Sequence, residues 1–199
     1  MSYLEDSIAH LEIFEGTVPW MYLDTRGLVT VGVGEMLANS ARAQSLGFVD
    51  SSGQPATQNA ILAEFNRVSA LAPAKVPGFY RTPSSPVLLH PSIDTLLMRH
   101  LTFFDGQLSA RFAAYASFPD PAKLGLLDMI YNLGVTGLFH GFPHFMGCAD
   151  RQDWLSASGQ CHRAGPSQTR NDWTKQQFLA AAAVAASNGA TPPAPPSGS

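Results

Sequence analysis

The sequence predicts a mostly α, α+β fold of two lobes, in which a small N-terminal β-hairpin sheet and a helical C-terminal lobe are joined by a long helix. Apolar residues recur with a helical period before residue 16, side chains alternate between residues 20 and 34, and helical patterns dominate after residue 92. We predict one domain over residues 1–188. Its β-containing lobe covers about 16–91, and its helical lobe covers about 92–188 plus the N-terminal helix.

The first two predicted elements are a helix and a hairpin. An apolar stripe ends at Glu15, and Gly16 and Pro19 then stop the helix. The chain alternates through "WMYLD", turns at "DTRG" and alternates again through "LVTVGVG". On the second strand Thr30 shares a face with Gly32 and Gly34, and the lack of bulk beyond Thr30 suits close approach of a backbone or a ligand. We expect Thr30 to contact water instead of the core.

The elements after the hairpin are mainly helical. An amphipathic helix is predicted in "NAILAEFNRVSALA", between a loop and an irregular, proline-rich connection. A long helix begins near Ser92 and ends before Pro119, and a buried helix in "DPAKLGLLDMIYNLG" ends at Gly134. Further helices follow up to "TKQQFLAAAAVAA", and residues 189–199 form a Pro/Gly/Ser-rich tail.

Composition excludes several functional classes. The formal net charge is −3, and no basic face favours nucleic acid. No apolar run is long enough to span a bilayer, so we expect no membrane insertion. The first residues carry Glu5 and Asp6 instead of the positive charge and apolar region of a secretory signal. We therefore expect cytoplasmic synthesis without a signal peptide and export by another route.

Two carboxylates in different surroundings flank the first strand. Glu15 ends an apolar helix, where partial burial and the negative end of the helix dipole favour its protonated form. Asp24 lies beside a polar turn and should stay ionised. Glycoside hydrolysis uses such a pair, one carboxyl group as acid and the other as base. The spacing alone also suits an ordinary hairpin with no catalytic role.

The whole string from Glu15 to Gly34, E-G-x(5)-Y-x-D-T-x-G-x-x-T-x-G-x-G, resembles the active-site segment of phage-type lysozymes, glycoside hydrolase family 24. That group also includes pesticin-like bacteriocin domains and secreted antibacterial effectors. The block "LLDMIYNLGVTGLFHGFPHF" is similar to the family's central C-lobe helix and its Gly-x-Thr-Gly turn, and "RNDWTKQQF" is similar to its C-terminal arginine and following helix. The stretch from about 38 to 91 matches no part of this pattern.

The resemblance implies an inverting muramidase that cuts the β-1,4 bond between N-acetylmuramic acid and N-acetylglucosamine. Glu15 would protonate the departing oxygen, Asp24 would act as base toward a water, and Thr30 would hold that water. The two carboxyl groups should lie roughly 6.5–9.5 Å apart, leaving room for the water. Arg170 would face and orient Glu15, and Gly32 would support the site.

The resemblance also implies substrate contacts, for which packing of the lobe is an equal alternative at several positions. These candidate substrate-binding residues are Gly34, Met36, Tyr131, Asn132, Phe145 and Gln160. Tyr22 is assigned to hairpin packing. Glu35 departs from the family, whose histidine at this position joins a structural ion pair, so that ion pair is in doubt here.

The partner that the resemblance implies is the peptidoglycan glycan strand, bound by a monomer without a cofactor. Endolysins and antibacterial effectors act in the periplasm or cell wall of the target bacterium, and a cognate immunity protein or a secretion-machinery carrier would be a further partner. The alternative is a catalytically weak, lysozyme-like module that binds peptidoglycan without cutting it.

The histidines and cysteines after residue 139 raise two further questions. They include zinc-ligand types, but Gly141 and Pro143 interrupt the first histidine pair and the resembled family uses no metal, so we predict no metal. Cys148 and Cys161 are placed on two consecutive predicted helices that a short turn could bring face to face. We predict a disulfide between them, and two buried thiols are the alternative.

Overall fold

The computed structural model describes residues 2–189, which form eight α-helices and one antiparallel sheet of five strands. The mostly α, α+β fold class is therefore confirmed. The helices are α1 (Tyr3–Glu15), α2 (Ser40–Gln44), α3 (Gln58–Ser69), α4 (His90–Arg111), α5 (Asp120–Gly141), α6 (Pro143–Asp150), α7 (Trp154–Ser158) and α8 (Gln168–Ser187). The strands are β1 (Val18–Leu23), β2 (Val29–Gly32), β3 (Glu35–Met36), β4 (Phe48–Val49) and β5 (Val87–Leu88). The predicted tail lies outside the described residues, apart from Gly189.

The chain divides into two compact units. The sheet unit is His10–Arg99, and the helical unit holds the described residues before His10 and after Arg99. The boundaries fall inside α1 and α4, so each of these helices contributes to both units. The sheet unit is thus larger than the predicted β-containing lobe, because it includes the end of α1 and the start of α4.

The sheet unit is built around the predicted hairpin, which is confirmed. The strand order is β3-β2-β1-β5-β4, so β1 lies in the centre of the sheet. Tyr22 lies opposite Thr30 in the β1–β2 pair, and Thr30 lies opposite Met36 in the β2–β3 pair. Because directly opposed residues of an antiparallel sheet share a face, these three side chains form one row across the hairpin and β3.

The stretch without a family match completes this sheet. It supplies β4 and β5, and Trp20 of β1 lies opposite Val87 of β5. The Trp20 indole donates a hydrogen bond of 2.9 Å to the carbonyl of Pro77, and the guanidinium of Arg81 lies 4.5 Å from the centre of the Trp20 ring. Residues 38–91 are therefore an integral part of the sheet unit.

The buried carboxylate of Glu64, on α3, stabilises the segment between α3 and β5. Glu64 is 7% exposed, and its two oxygens accept hydrogen bonds of 2.7 and 2.8 Å from Arg67. The Ser85 hydroxyl donates a third at 2.6 Å, and Arg67 also donates to the carbonyl of Tyr80. Burial alone would raise the pKa of Glu64, but these bonds and the Arg67 charge outweigh it and lower the pKa below its ordinary value.

The helical unit packs α5, α7 and α8 around aromatic side chains. Phe145 and Phe178 meet with ring centres 5.1 Å apart, and Phe118 contacts Trp154 at 4.7 Å. A Cβ atom on Gly125 of α5 would lie 2.7 Å from the Phe178 ring, so only glycine permits this close approach of α5 and α8. Gly134 interrupts α5 with non-helical backbone angles (φ 70°, ψ 170°), at the predicted helix end.

We predict that Glu64→Gln lowers the free energy of unfolding by about 2 kcal/mol at pH 7, because a buried acceptor for Arg67 loses its charge. The lowered pKa means that the native state is stabilised above the ordinary value of 4.5 and loses this contribution as the pH falls through the native-state value. Chemical denaturation at pH 7 and pH 3 should therefore give a smaller difference from wild type at pH 3. Asp6→Asn, an exposed carboxylate, is the matched control, and an equal loss in both variants would contradict the prediction.

Candidate active site

Glu15 is the last residue of α1, and Gly16 ends the helix. The Gly16 amide donates to the carbonyl of Glu12 at 3.1 Å, and its φ of 73° lies in the left-handed region that favours glycine. Glu15 is exposed, whereas the sequence predicted partial burial. That expectation is wrong because the buried part of the stripe stops at Leu11, which is 1% exposed. The carboxyl group is therefore accessible to a large substrate.

Asp24 closes the hairpin turn through its side chain. Its Oδ1 accepts hydrogen bonds from the backbone amides of Arg26, at 2.9 Å, and Leu28, at 2.8 Å. The backbone amide of Asp24 donates to the carbonyl of Leu28 at 3.0 Å, so both strand ends are joined there. Oδ2 lies 3.7 Å from Nε of Arg26, whose side chain is 75% exposed, and such a contact contributes little. One oxygen is thus fixed by the turn and the other remains available.

Thr30 is buried in β2. It is only 3% exposed, and its hydroxyl donates a hydrogen bond of 3.0 Å to the carbonyl of Leu28. The expectation that Thr30 contacts water instead of the core is wrong, because its side chain is buried, whereas the close approach expected beside Gly32 is present. A Cβ atom on Gly32 would lie 3.2 Å from Cγ2 of Ile93. Gly32 therefore supports the hairpin by admitting the Ile93 side chain.

Tyr22 connects the two carboxylates electrostatically. Burial raises the pKa of the Tyr22 phenol above its ordinary value, and the negative charges of Asp24 and Glu15 raise it further. Both carboxyl groups therefore act on one phenol, which stays protonated at neutral pH. The sequence analysis assigned Tyr22 to packing. Its half-buried side chain fits that assignment, and it lies on β1 two residues before Asp24, which follows the strand.

A shallow groove of about 290 Å³ lies beside Asp24. One wall is residues 22–25 of the hairpin, and the other is residues 74–77 of the stretch without a family match. Lys75 and Val76 are exposed on this second wall. No sequence signal related this wall to the site, because its residues form no recognisable motif.

The end of the hairpin carries the first two substrate-binding candidates. Gly34 and Met36 are both exposed, and Met36 lies opposite Thr30 in the sheet. Glu35 between them is buried, and its Oε1 accepts hydrogen bonds of 3.1 and 2.5 Å from Arg42 of α2. The ion pair that the sequence analysis doubted at Glu35 is therefore present in another form, with a partner from the unmatched stretch.

Arg170 lies in the helical unit and is held by Asp128. Its Nε donates to Oδ1 of Asp128 at 2.7 Å, while Arg163 and Thr174 each donate to Oδ2 at 2.6 Å. All four side chains are buried. The sequence analysis missed Asp128 and Arg163, since neither belongs to a recognised spacing. The orienting role of Arg170 toward Glu15 stays a prediction.

The remaining substrate-binding candidates divide by exposure. Asn132 and Gln160 are exposed, and Tyr131 is half-buried with its ring centre 6.0 Å from that of Phe104. Phe145 is fully buried against Phe178, so its predicted substrate contact is wrong and its role is packing. An apolar position within α6 carried no sequence signal to distinguish these two roles.

The predicted disulfide between Cys148 and Cys161 is not formed, and both thiols are free and buried. Cys148 lies on α6 as expected, but Cys161 follows α7 instead of lying on it, so the expected pairing of two helices does not apply. Sγ of Cys161 lies 3.4 Å from the carbonyl of Ser158. Burial raises the pKa of both thiols, which keeps them protonated at neutral pH.

The sequence matches no protein-family model and no curated protein. The resemblance to phage-type lysozymes therefore rests on the short sequence motifs alone. None of the helices within residues 2–189 has both the length and the apolar character needed to cross a membrane.

We predict that denatured protein, prepared in air without reductant, contains two reactive thiols per chain, because both cysteines are free. In the native protein the same reagent should react slowly, since the buried thiols are protonated. Spectroscopic thiol counting measures both quantities. Denatured Cys148→Ala should contain one thiol. A count of zero in the denatured wild type would contradict the prediction and indicate a disulfide.

Proposed function

We propose that this chain is a muramidase that hydrolyses the β-1,4 bond between N-acetylmuramic acid and N-acetylglucosamine by inversion. The observation that carries the proposal is the placement of two carboxylates in unlike surroundings, an exposed Glu15 at the end of α1 and an Asp24 whose Oδ1 is held by the hairpin turn. A solvated carboxylate on a helix end and a turn-bound carboxylate supply the acid and the base that this reaction needs.

Glu15 would act as the general acid. Its exposed position at the end of α1 allows a glycan to approach, and a bound glycan would exclude water from the carboxyl group. Loss of water favours the neutral, proton-donating form of a carboxyl group. The proton would pass from Glu15 to the glycosidic oxygen as the bond to the anomeric carbon breaks.

Asp24 and Thr30 would hold the attacking water. Oδ1 of Asp24 is bound to the turn, which leaves Oδ2 to accept one water proton. The Thr30 hydroxyl already donates to Leu28, so it can only accept a hydrogen bond from a water. A water that donates to both oxygens keeps a lone pair free for the anomeric carbon. Asp24 then takes the proton as the new carbon–oxygen bond forms.

We predict that Glu15→Gln and Asp24→Asn each reduce the rate of peptidoglycan hydrolysis by about 10²–10⁴-fold. Asp24→Asn is the decisive variant, because the amide oxygen can still accept both backbone hydrogen bonds while the charge is lost. Turbidity loss of purified peptidoglycan measures the rate, and thermal unfolding checks the fold. Asp24→Ala, which also loses the turn bonds, should unfold at a lower temperature. A folded Asp24→Asn protein with wild-type activity would reduce Asp24 to a structural residue.

We predict a separate role for the Thr30 hydroxyl. Thr30→Val keeps the shape of the buried side chain but removes the acceptor for water, so activity should fall at least about tenfold. Thr30→Ser keeps the hydroxyl and is the matched control. Activity should follow the hydroxyl, whereas the melting temperature of both variants should change little. Equal activity of the valine and serine variants would exclude a water-holding role.

Mass spectrometry of the digested peptidoglycan distinguishes reaction types. Reducing-end muramic acid indicates hydrolysis, whereas 1,6-anhydro ends indicate a lytic transglycosylase. The exposure of Glu15 favours one competing function, a lysozyme-like module that binds peptidoglycan with little catalysis. Cosedimentation with intact sacculi, without release of fragments, would support that module.

We further propose that the enzyme acts in the periplasm or cell wall of a target bacterium, as an endolysin or an antibacterial effector. Its partner there is the glycan strand, and the short motif resemblance supports this context. An immunity protein or a secretion-machinery carrier would accompany the effector role. Expression directed to the periplasm should lyse cells, and the Asp24→Asn variant should not.

A further inference from the structure

A second cluster of ionisable side chains lies in the sheet unit, outside the proposed reaction. It consists of Glu12 on the last turns of α1, with His90 and Asp94 on the first turns of α4. Nε2 of His90 lies 3.5 Å from Oε1 of Glu12 and 3.8 Å from Oδ1 of Asp94. These three atoms all lie within 4.8 Å of one another.

The two carboxylate oxygens are buried without a hydrogen-bond donor. Oε1 of Glu12 and Oδ1 of Asp94 are shielded from solvent and accept no hydrogen bond. Buried acceptors are nearly always paired, because losing water without gaining a donor is unfavourable. Two such oxygens beside one imidazole also bring like charges together. A bound cation would satisfy both oxygens at once.

The spacing of the three atoms fits a metal ion. Zinc bonds of about 2.0–2.2 Å in tetrahedral geometry separate the ligand atoms by about 3.3–3.6 Å. The two distances from His90 are within a small side-chain rotation of that range. His90 and Asp94 are also four residues apart on one helix, the spacing that presents two ligands on one face.

We propose that Glu12, His90 and Asp94 bind one divalent transition-metal ion, with water completing its coordination. An imidazole among the ligands favours zinc over magnesium or calcium, which prefer oxygen ligands alone. His90 is 63% exposed, so an ion can enter from solvent. Within residues 2–189, this is the one group of three such ligands whose atoms come this close.

The ion would join two helices that are far apart in sequence. Nearly the whole of the sheet unit lies between Glu12 and His90, and closing so long a loop restricts the unfolded chain. Glu12 also lies one turn before Glu15, and its carbonyl accepts the hydrogen bond that ends α1. The site would therefore stabilise the helix end that carries Glu15, whether or not the chain is a muramidase.

Isothermal titration calorimetry of the full, untagged chain with zinc chloride tests the proposal. We expect one zinc per chain in the wild type and at least about 100-fold weaker affinity in His90→Gln and Asp94→Asn, since each loses a metal ligand. The matched control is the double variant His140→Gln/His144→Gln, which removes two other exposed histidines. It should bind zinc as the wild type does, and magnesium should give no binding.

Thermal unfolding provides a second measurement. Zinc should raise the melting temperature of the wild type and of the double variant by several degrees, but not that of His90→Gln. In the presence of a chelator the three proteins should unfold at similar temperatures. An absence of zinc binding in the wild type would overturn the proposal. So would equal zinc affinity in wild type and His90→Gln, or a loss of binding only in the double variant.

Discussion

The hairpin depends on the side chain of Asp24. One carboxylate oxygen accepts two backbone amides across the turn, and this fixes where β1 ends and β2 begins. The register that follows puts Tyr22 opposite Thr30, and a shift by one residue would move every polar side chain to the other face. The same oxygen thus sets the strand pairing and leaves the second oxygen outside the hydrogen bonds of the turn.

Local sequence patterns were sufficient to predict most helices and the hairpin, but not the tertiary contacts around them. The period of α1, the turn chemistry of the hairpin and the buried helix before Gly134 could be predicted, because each depends on neighbouring residues. The contact of Gly32 with Ile93 could not, since Ile93 lies far away in sequence. Strands β4 and β5 have two residues each and form only through tertiary pairing. Segments this short show no alternation of side chains from which a strand could be predicted.

The candidate site shows the same division. Glu15, Asp24 and Thr30 belong to one short motif, so the sequence could propose all three, and their catalytic roles stay a prediction. The relation of Tyr22 to both carboxylates could not be predicted, because it depends on the register and the end of α1 together. Asp128 and Arg163 were missed, since a buried ion pair between distant segments leaves no spacing to detect. Removing Asp128 would leave two guanidinium groups buried without it, and the helical unit depends on this carboxylate for that reason.

The central position of β1 in the sheet determines which segments of the chain can be removed without disturbing the sheet. Both edges of β1 are paired, one with β2 and the other with β5, and β5 lies in the stretch 38–91 that matches no part of the sequence motifs. A segment that only packed on the outside of the hairpin could be removed without disturbing the sheet. Removal of residues 38–91 would remove β5 and leave one edge of β1 unpaired. An unpaired strand edge promotes association with other chains. The sheet therefore depends on this segment to protect the second edge of β1.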